Sequence, residues 1–121
     1  MGDLMHHCGY ISEGVCYRWK VETLIEAAQN IECCDFDVFQ VNLKHCFWFE
    51  EIPNVEQVLQ HFKQVQNTDL SHPIILAPDG TILDGIHRIV KARLDGKKTL
   101  KAVRFETLPE AESQEWVGDP V

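Results

Sequence analysis

The sequence has no long apolar run and few basic residues, and both shortages limit what the protein can be. No stretch of its 121 residues approaches the roughly 20 apolar residues that cross a bilayer, and the first residues lack the basic-then-apolar pattern of a signal peptide. Eleven Lys and Arg stand against nineteen Asp and Glu, which gives a net charge of −8. Such a charge opposes binding to nucleic acids and to anionic membranes. We therefore expect a cytoplasmic protein without membrane contact, and nucleic acid is disfavoured as a partner.

The sequence also lacks the cysteine spacings that are typical of disulfide frameworks and zinc sites. The five cysteines are an odd number, and the His6–Cys16 segment matches none of the paired spacings that make a zinc site convincing. A disulfide framework is therefore not expected. Free cysteine usually behaves as a small buried apolar residue, and this is our expectation for Cys33, Cys34 and Cys46.

The chain length corresponds to about one domain, and the sequence has no internal repeat and no Gly/Ser linker. Residues 1–16 show no clear period and are predicted to be irregular. Residues 17–105 are predicted to form the domain. Residues 106–121 carry several carboxylates and two prolines and are predicted to be an acidic, solvated tail.

Two helices are predicted from apolar periodicity. The first runs from Val21 to Ile31, where apolar residues recur at helical spacing. The second begins after Asn54, an N-cap candidate with Gln57 three residues later.

Strands alternate with these helices. We predict a strand over residues 36–43, a hairpin over residues 73–83 around a Pro-Asp-Gly turn, and a last strand over residues 99–105. A third helix is predicted from Gly85 to Gly96, a natural C-terminal glycine. The expected fold is α/β (α+β): a single domain with a small mixed sheet and helices.

The most informative segment is the run Asp84-Gly85-Ile86-His87-Arg88, where an apolar strand passes directly into a basic helix. The first turn of a helix has free backbone N–H groups and a positive dipole end, so it favours anions. Arg offers a bidentate fork to phosphate oxygens, and His donates from either ring nitrogen. The pattern predicts a phosphate-binding turn. Lys91 lies one turn beyond His87 and would extend its basic rim.

These residues carry a resemblance to a known superfamily. Residues 73–76, 82–92, Gly96 and 102–103 resemble the core of ParB/sulfiredoxin-like proteins. That core has the order strand, helix, apolar strand, short strand, a Gly-x-[His/Arg]-Arg turn opening a helix, and a closing strand. The resemblance covers residues 36–105. It implies a nucleotide pocket at the start of the Gly85 helix, where Gly85 to Arg88 would hold the phosphates.

Departures from the family patterns exclude two activities. Sulfiredoxins have a reactive cysteine where this chain has Ile86, so sulfinic acid reduction through that position is excluded. Partition-type ParB proteins carry a DNA-reading region and a dimerisation segment after the core, and only some sixteen residues follow the last predicted strand here, so we expect neither. Nuclease activity, sometimes attributed to ParB-like domains, is a weaker alternative because the chain has no broad basic stripe.

A third branch, kinases of free serine, resembles the chain in its Asp-Gly-x-His-Arg turn and in a glutamate before the preceding helix. The resemblance then implies Glu50 or Glu51 as the general base for a substrate hydroxyl. It also implies Asp84 as a ligand of Mg²⁺ that bridges to the phosphates of ATP, ADP or CTP. Two other interpretations stay open: Asp84 caps its own helix, and Glu50 and Glu51 are solvated charges.

Two classes of function follow from the resemblance. One is a Mg²⁺-dependent phosphotransferase or nucleotide hydrolase. The other is a non-catalytic, nucleotide-responsive module that acts through a protein partner or a homodimer. Measured turnover separates the two classes.

Overall fold

Seven strands and three α-helices lie within residues 7–45, 49 and 51–118, the part of the chain that the computed structural model describes. In chain order they are β1 (His7–Ser12), β2 (Val15–Lys20), α1 (Val21–Ala28), β3 (Cys34–Asp37), α2 (Val55–Gln66), β4 (Ile74–Leu76), β5 (Ile82–Asp84), α3 (Ile86–Leu94), β6 (Thr99–Arg104) and β7 (Ser113–Trp116). None of the helices within those residues is long and apolar enough to cross a membrane.

A four-stranded mixed sheet with the order β3-β6-β4-β5 forms the middle layer. β6 is parallel to β4 and antiparallel to β3, while β4 and β5 form an antiparallel hairpin. Because side chains alternate along a strand, Ile74 and Leu76 face one side and Ile75 faces the other. The first pair packs with Ile89 of α3, and Ile75 packs with Leu24 of α1. The sheet therefore separates two apolar cores.

The predicted class, a mixed α+β single domain, is confirmed. The capping box at the start of α2 is present: Asn54 Oδ1 accepts from the Gln57 N–H at 2.8 Å, and Gln57 Oε1 accepts from the Asn54 N–H at 2.9 Å. The hairpin over residues 73–83 and the third helix also form as predicted, with Gly96 just beyond the end of α3.

The prediction that residues 1–16 are irregular is wrong from residue 7 onward. β1 and β2 form an antiparallel hairpin, and β2 also pairs with β7 to complete a second, three-stranded sheet. Cys8 and Trp19 of this hairpin reach the same core as Leu24 and Ile75. The hairpin is thus part of the packed domain.

Residues 106–118 of the predicted tail are mostly exposed, as expected for a solvated segment, but they are not a separate tail, because they make specific contacts with the domain. β7 pairs with β2, and the Trp19 indole N–H donates to the Pro109 carbonyl at 3.0 Å. Glu112 Oε1 accepts from the Lys20 backbone N–H at 2.7 Å and from the Thr23 hydroxyl at 2.8 Å. A carboxylate at a helix start is favourable, so this residue stabilises the beginning of α1.

The strand predicted over residues 36–43 is shorter than expected. β3 ends at Asp37, whose carboxylate accepts from the Phe39 N–H at 2.9 Å and starts a 3₁₀ turn, Val38–Gln40. A short acceptor side chain that bonds its own backbone two residues on competes with strand pairing.

The expectation of buried cysteines is wrong for Cys33 and Cys34, which are exposed and free. Cys46 lies outside the described residues. Cys8 and Cys16 are the buried free cysteines of the described chain.

Candidate functional site

The start of α3 has an unusual backbone. Its N-cap, Gly85, has φ +127°, and no side chain caps the helix. One interpretation of Asp84 was that it caps α3. The structure instead places Asp84 as the last residue of β5, and its side chain does not cap the helix. The first-turn N–H groups therefore lack a side-chain acceptor, which is the condition for anion binding that the sequence predicts.

The glycine is required by packing as well as by its backbone. A Cβ atom at Gly85 would lie 3.0 and 3.2 Å from two side-chain carbons of Ile74 and 3.3 Å from Arg88 Nη2. β4 and the Arg88 side chain thus occupy the space that a larger residue would need.

Arg88 turns back towards the strand that precedes its helix. Its Nη2 donates to Asp84 Oδ2 at 2.8 Å and to the Pro73 carbonyl at 3.3 Å. The side chain of Arg88 is 13% exposed and that of Asp84 is 27% exposed. The Nε atom of Arg88 is buried and has no hydrogen-bond partner within the described chain. A buried donor without an acceptor costs about 1–3 kcal/mol, so Arg88 has unused hydrogen-bonding capacity.

Asp84 and Arg88 line a cleft of about 390 Å³ between α1 and the start of β4. Its apolar wall includes Ile25, Ile75 and Val103. A volume of this size, mainly apolar walls and a few convergent polar groups are typical of a small-molecule site.

The other predicted phosphate contacts do not line this cleft. His87 points to α2, where its Nε2 lies 3.0 Å from Nε2 of His61. Lys91 forms an ion pair with Asp95 at 3.5 Å, and Ile86 packs against the core around Ile89. Side chains one residue apart on a helix point about 100° from each other, so His87 and Arg88 serve different faces of α3.

The His61 imidazole gives the α2–α3 contact a predictable pH dependence. Burial lowers the pKa of His61 below its ordinary value of 6.5. As the pH falls below 6.5, His61 takes up a proton in the unfolded chain more readily than in the folded chain. Its contribution to the free energy of unfolding is therefore fully present above pH 6.5 and is lost as the pH falls towards the folded-state pKa. We expect the free energy of unfolding, measured with urea, to decline between pH 7.5 and pH 5.5.

In a His61→Gln variant we expect that decline to be smaller. His72→Gln, which changes an exposed imidazole, serves as the control and should retain most of the decline. An unchanged pH profile in His61→Gln would contradict the assignment.

The two glutamates predicted as general bases are not brought to the cleft by the described chain. Glu51 is exposed, lies before the α2 cap and does not line the cleft, and Glu50 lies outside the described residues. Their role as a base stays a prediction.

The Mg²⁺ that the resemblance implies does not fit the residues around Asp84. That carboxylate already accepts from Arg88, and it is the one carboxylate among the residues lining the cleft. No group of three His, Cys, Asp or Glu side chains within the described ranges is arranged to hold a metal ion. We therefore derive no chemical step through magnesium.

Three polar residues of the cleft were not predicted from the sequence: Gln29, Cys33 and His72. Gln29 follows the end of α1, and His72 precedes the proline before β4. Only their position in the fold brings them beside Arg88, so no motif could have identified them.

A buried thiol lies close to the Asp84–Arg88 pair. Burial raises the pKa of Cys8 to about 12, and the Asp84 carboxylate adds to this effect while Arg88 opposes it. The thiolate is the reactive form of cysteine, so Cys8 is inert at neutral pH.

No family model, curated protein or solved structure matches this chain.

Proposed function

We propose that the cleft binds the phosphate groups of a nucleotide, and that the chain is a cytoplasmic nucleotide-binding protein of the ParB/sulfiredoxin-like type. The observation that carries the proposal is the position of Arg88. It lines an apolar cleft beside the uncapped start of α3, and its Nε has no acceptor within the described chain.

The cleft offers both kinds of surface that a nucleotide needs. Ile25, Ile75 and Val103 provide apolar wall for a base, and Arg88 provides a charged donor for a phosphate. A phosphate oxygen that reached Nε would satisfy an orphaned donor, and charge-assisted hydrogen bonds are the strong ones. His72, also at the cleft, adds a second nitrogen donor.

The order of elements supports the proposed relationship. β3, α2, β4, β5, α3 and β6 follow one another in the order that the resemblance implies, with the Gly-x-His-Arg turn between β5 and α3. The Gly-x-His-Arg turn lies between the edge strand β5 and the start of α3. A helix start that follows a strand is a common place for phosphate binding, and this supports the proposal.

The non-catalytic form of this proposal is favoured over a phosphotransferase. Asp84 is paired with Arg88 and the cleft has no second carboxylate among its described lining residues, which favours binding over catalysis by a general base. A phosphotransferase or nucleotide hydrolase would require Glu50 or Glu51 to reach a bound substrate.

Calorimetric titration with ATP, ADP and CTP, with and without Mg²⁺, tests the binding. We expect saturable binding to the wild type and a loss of roughly tenfold to hundredfold in Arg88→Gln, since a hydrogen bond to a charged group contributes about 1.5–3 kcal/mol. Lys97→Gln is the matched control, because it removes one positive charge at an exposed position away from the cleft.

The two adjacent exposed cysteines provide an internal check on the location. Cys33 lines the cleft and Cys34 does not, so a bound nucleotide should slow alkylation of Cys33 more than that of Cys34. Single Cys33→Ser and Cys34→Ser variants assign the rates by mass spectrometry. Absence of binding at millimolar nucleotide, or equal protection of both thiols, would overturn the proposal. Phosphate release or transfer in the same samples would instead establish the enzymatic class.

A further inference from the structure

The helix α2 has an apolar face that its own described chain leaves largely uncovered. Val65 is 2% exposed, but Val55 is 85% exposed, and Val58, Leu59 and Phe62 are each nearly half exposed. Amphipathic helices in proteins derive most of their stability from packing that apolar face. Contiguous exposed apolar faces are typical of interaction surfaces.

A residue of α3 extends the same surface. Leu94 is 61% exposed and lines a shallow groove with Val58 and Phe62. We call Val55, Val58, Leu59, Phe62 and Leu94 the α2 face.

We propose that the α2 face is the contact between two copies of this chain, with the two α2 helices antiparallel across a two-fold axis. Charge complementarity and the area of the face favour a second copy as the occupant. This inference does not depend on nucleotide binding.

The charges of α2 are self-complementary in the antiparallel direction. Glu56 and Lys63 are its acidic and basic residues, both are exposed, and neither forms an ion pair within the described part of the chain. Seven residues apart, they lie on the same side of the helix. An antiparallel copy places Glu56 of each helix opposite Lys63 of the other, whereas a parallel copy in register places like charges together.

The centre of this charge pattern coincides with the centre of the apolar face. A two-fold axis that pairs Glu56 with Lys63 passes between Leu59 and Gln60, close to the middle of the exposed stretch from Val55 to Phe62. A two-fold contact uses the same patch on both subunits, so a patch centred on the axis is required.

Net charge also favours this location. Each chain carries −8, so two copies repel one another over most of their surface. α2 carries one acidic and one basic residue among its twelve, with neutral Gln at four further positions. The helix is therefore a place where copies can meet without like-charge contact.

The exposed area is sufficient for a specific interface between two copies. The five side chains of the α2 face expose on the order of 500 Å² of apolar surface, which is about the apolar share of an interface that buries ~800 Å² per partner. That size does not by itself fix the affinity, because ordering and desolvation oppose association.

Sedimentation velocity over a wide concentration range tests the proposal on the full chain. We expect the wild type to approach twice its 13.9 kDa monomer mass as concentration rises. Phe62→Asp should shift the midpoint to at least tenfold higher concentration, while far-UV circular dichroism shows an unchanged fold. Ile11→Asp is the control, because it changes an exposed apolar residue of β1, on the three-stranded sheet and outside the α2 face. It should leave the midpoint concentration of dimerisation unchanged.

A charge reversal separates antiparallel self-pairing from other contacts. Lys63→Glu and Glu56→Lys each place like charges opposite one another and should weaken the dimer. The double variant with both reversals restores opposite charges and should recover it. A wild type that remains monomeric at all concentrations, a dimer indifferent to Phe62→Asp, or a double variant no better than the singles would overturn the proposal.

Discussion

Replacing Gly85 with alanine is expected to lower the free energy of unfolding by about 2–4 kcal/mol. The substitution adds a side chain at φ +127°, where side-chain-bearing residues are strained, and puts its Cβ 3.0 Å from a side-chain carbon of Ile74. Ile74 is fully buried, so it can shift only by displacing its core neighbours. Urea unfolding followed by circular dichroism measures the change.

Gly96 provides the matched control for this prediction. It also has a positive φ, +76°, but a Cβ there would meet nothing within 4 Å. Gly96→Ala should therefore lower the free energy of unfolding by about 1 kcal/mol, the cost of holding alanine in a left-handed backbone conformation. The difference between the two variants reports the close approach of β4 to the start of α3. Equal losses would show that this approach does not limit the size of residue 85.

Replacing Trp19 with alanine is expected to lower the free energy of unfolding by about 3–5 kcal/mol, which is a large part of the 5–15 kcal/mol typical of a domain. The side chain is 1% exposed, stacks on Tyr17 and packs in the core with Leu24 and Ile75. Its indole N–H also ties β2 to the Pro109 carbonyl. Its removal leaves a cavity between the hairpin and the central sheet.

Two further variants separate the contributions of this residue. Trp19→Phe keeps an aromatic ring but removes the hydrogen bond to Pro109, and we expect it to lose less than the alanine variant. Trp116→Ala changes a tryptophan that is 67% exposed on β7 and should cost less than about 1 kcal/mol. If Trp19→Ala were as mild as Trp116→Ala, residues 7–20 would not be part of the cooperative core.

Local signals in the sequence predicted the elements that depend on local physics. The Asn54–Gln57 capping box fixes the start of α2 because both of its hydrogen bonds join residues three apart. The Pro-Asp-Gly turn between β4 and β5 is equally local, and Asp79 accepts from the Thr81 N–H at 2.9 Å. The segments that were mispredicted, residues 7–16 and 106–118, acquire their order from partners far away in the chain. β2 pairs with β7, about a hundred residues later, and no local pattern records that pairing.

The candidate site divides in the same way. The sequence identified Asp84, Gly85 and Arg88 as one unit, and the structure keeps the three together because they are within one turn of a helix start. The sequence did not show that the His87 side chain contacts His61, because that contact depends on which helix packs beside α3. Nor did it show that Arg88 would be paired with Asp84 and the Pro73 carbonyl.

The sequence by itself therefore determined the mixed α+β class, the capping box of α2, the hairpin turn and the strand-to-helix junction at Gly85. These depend on backbone and side-chain interactions between residues a few positions apart. Only the tertiary structure decided that α1 side chains line the cleft beside Arg88, that β1 and β2 share a sheet with the distant β7, and that the apolar face of α2 stays exposed. Each of these features depends on contacts between segments that are far apart in the sequence. Such contacts are set by the packing of the whole chain and leave no local sequence pattern.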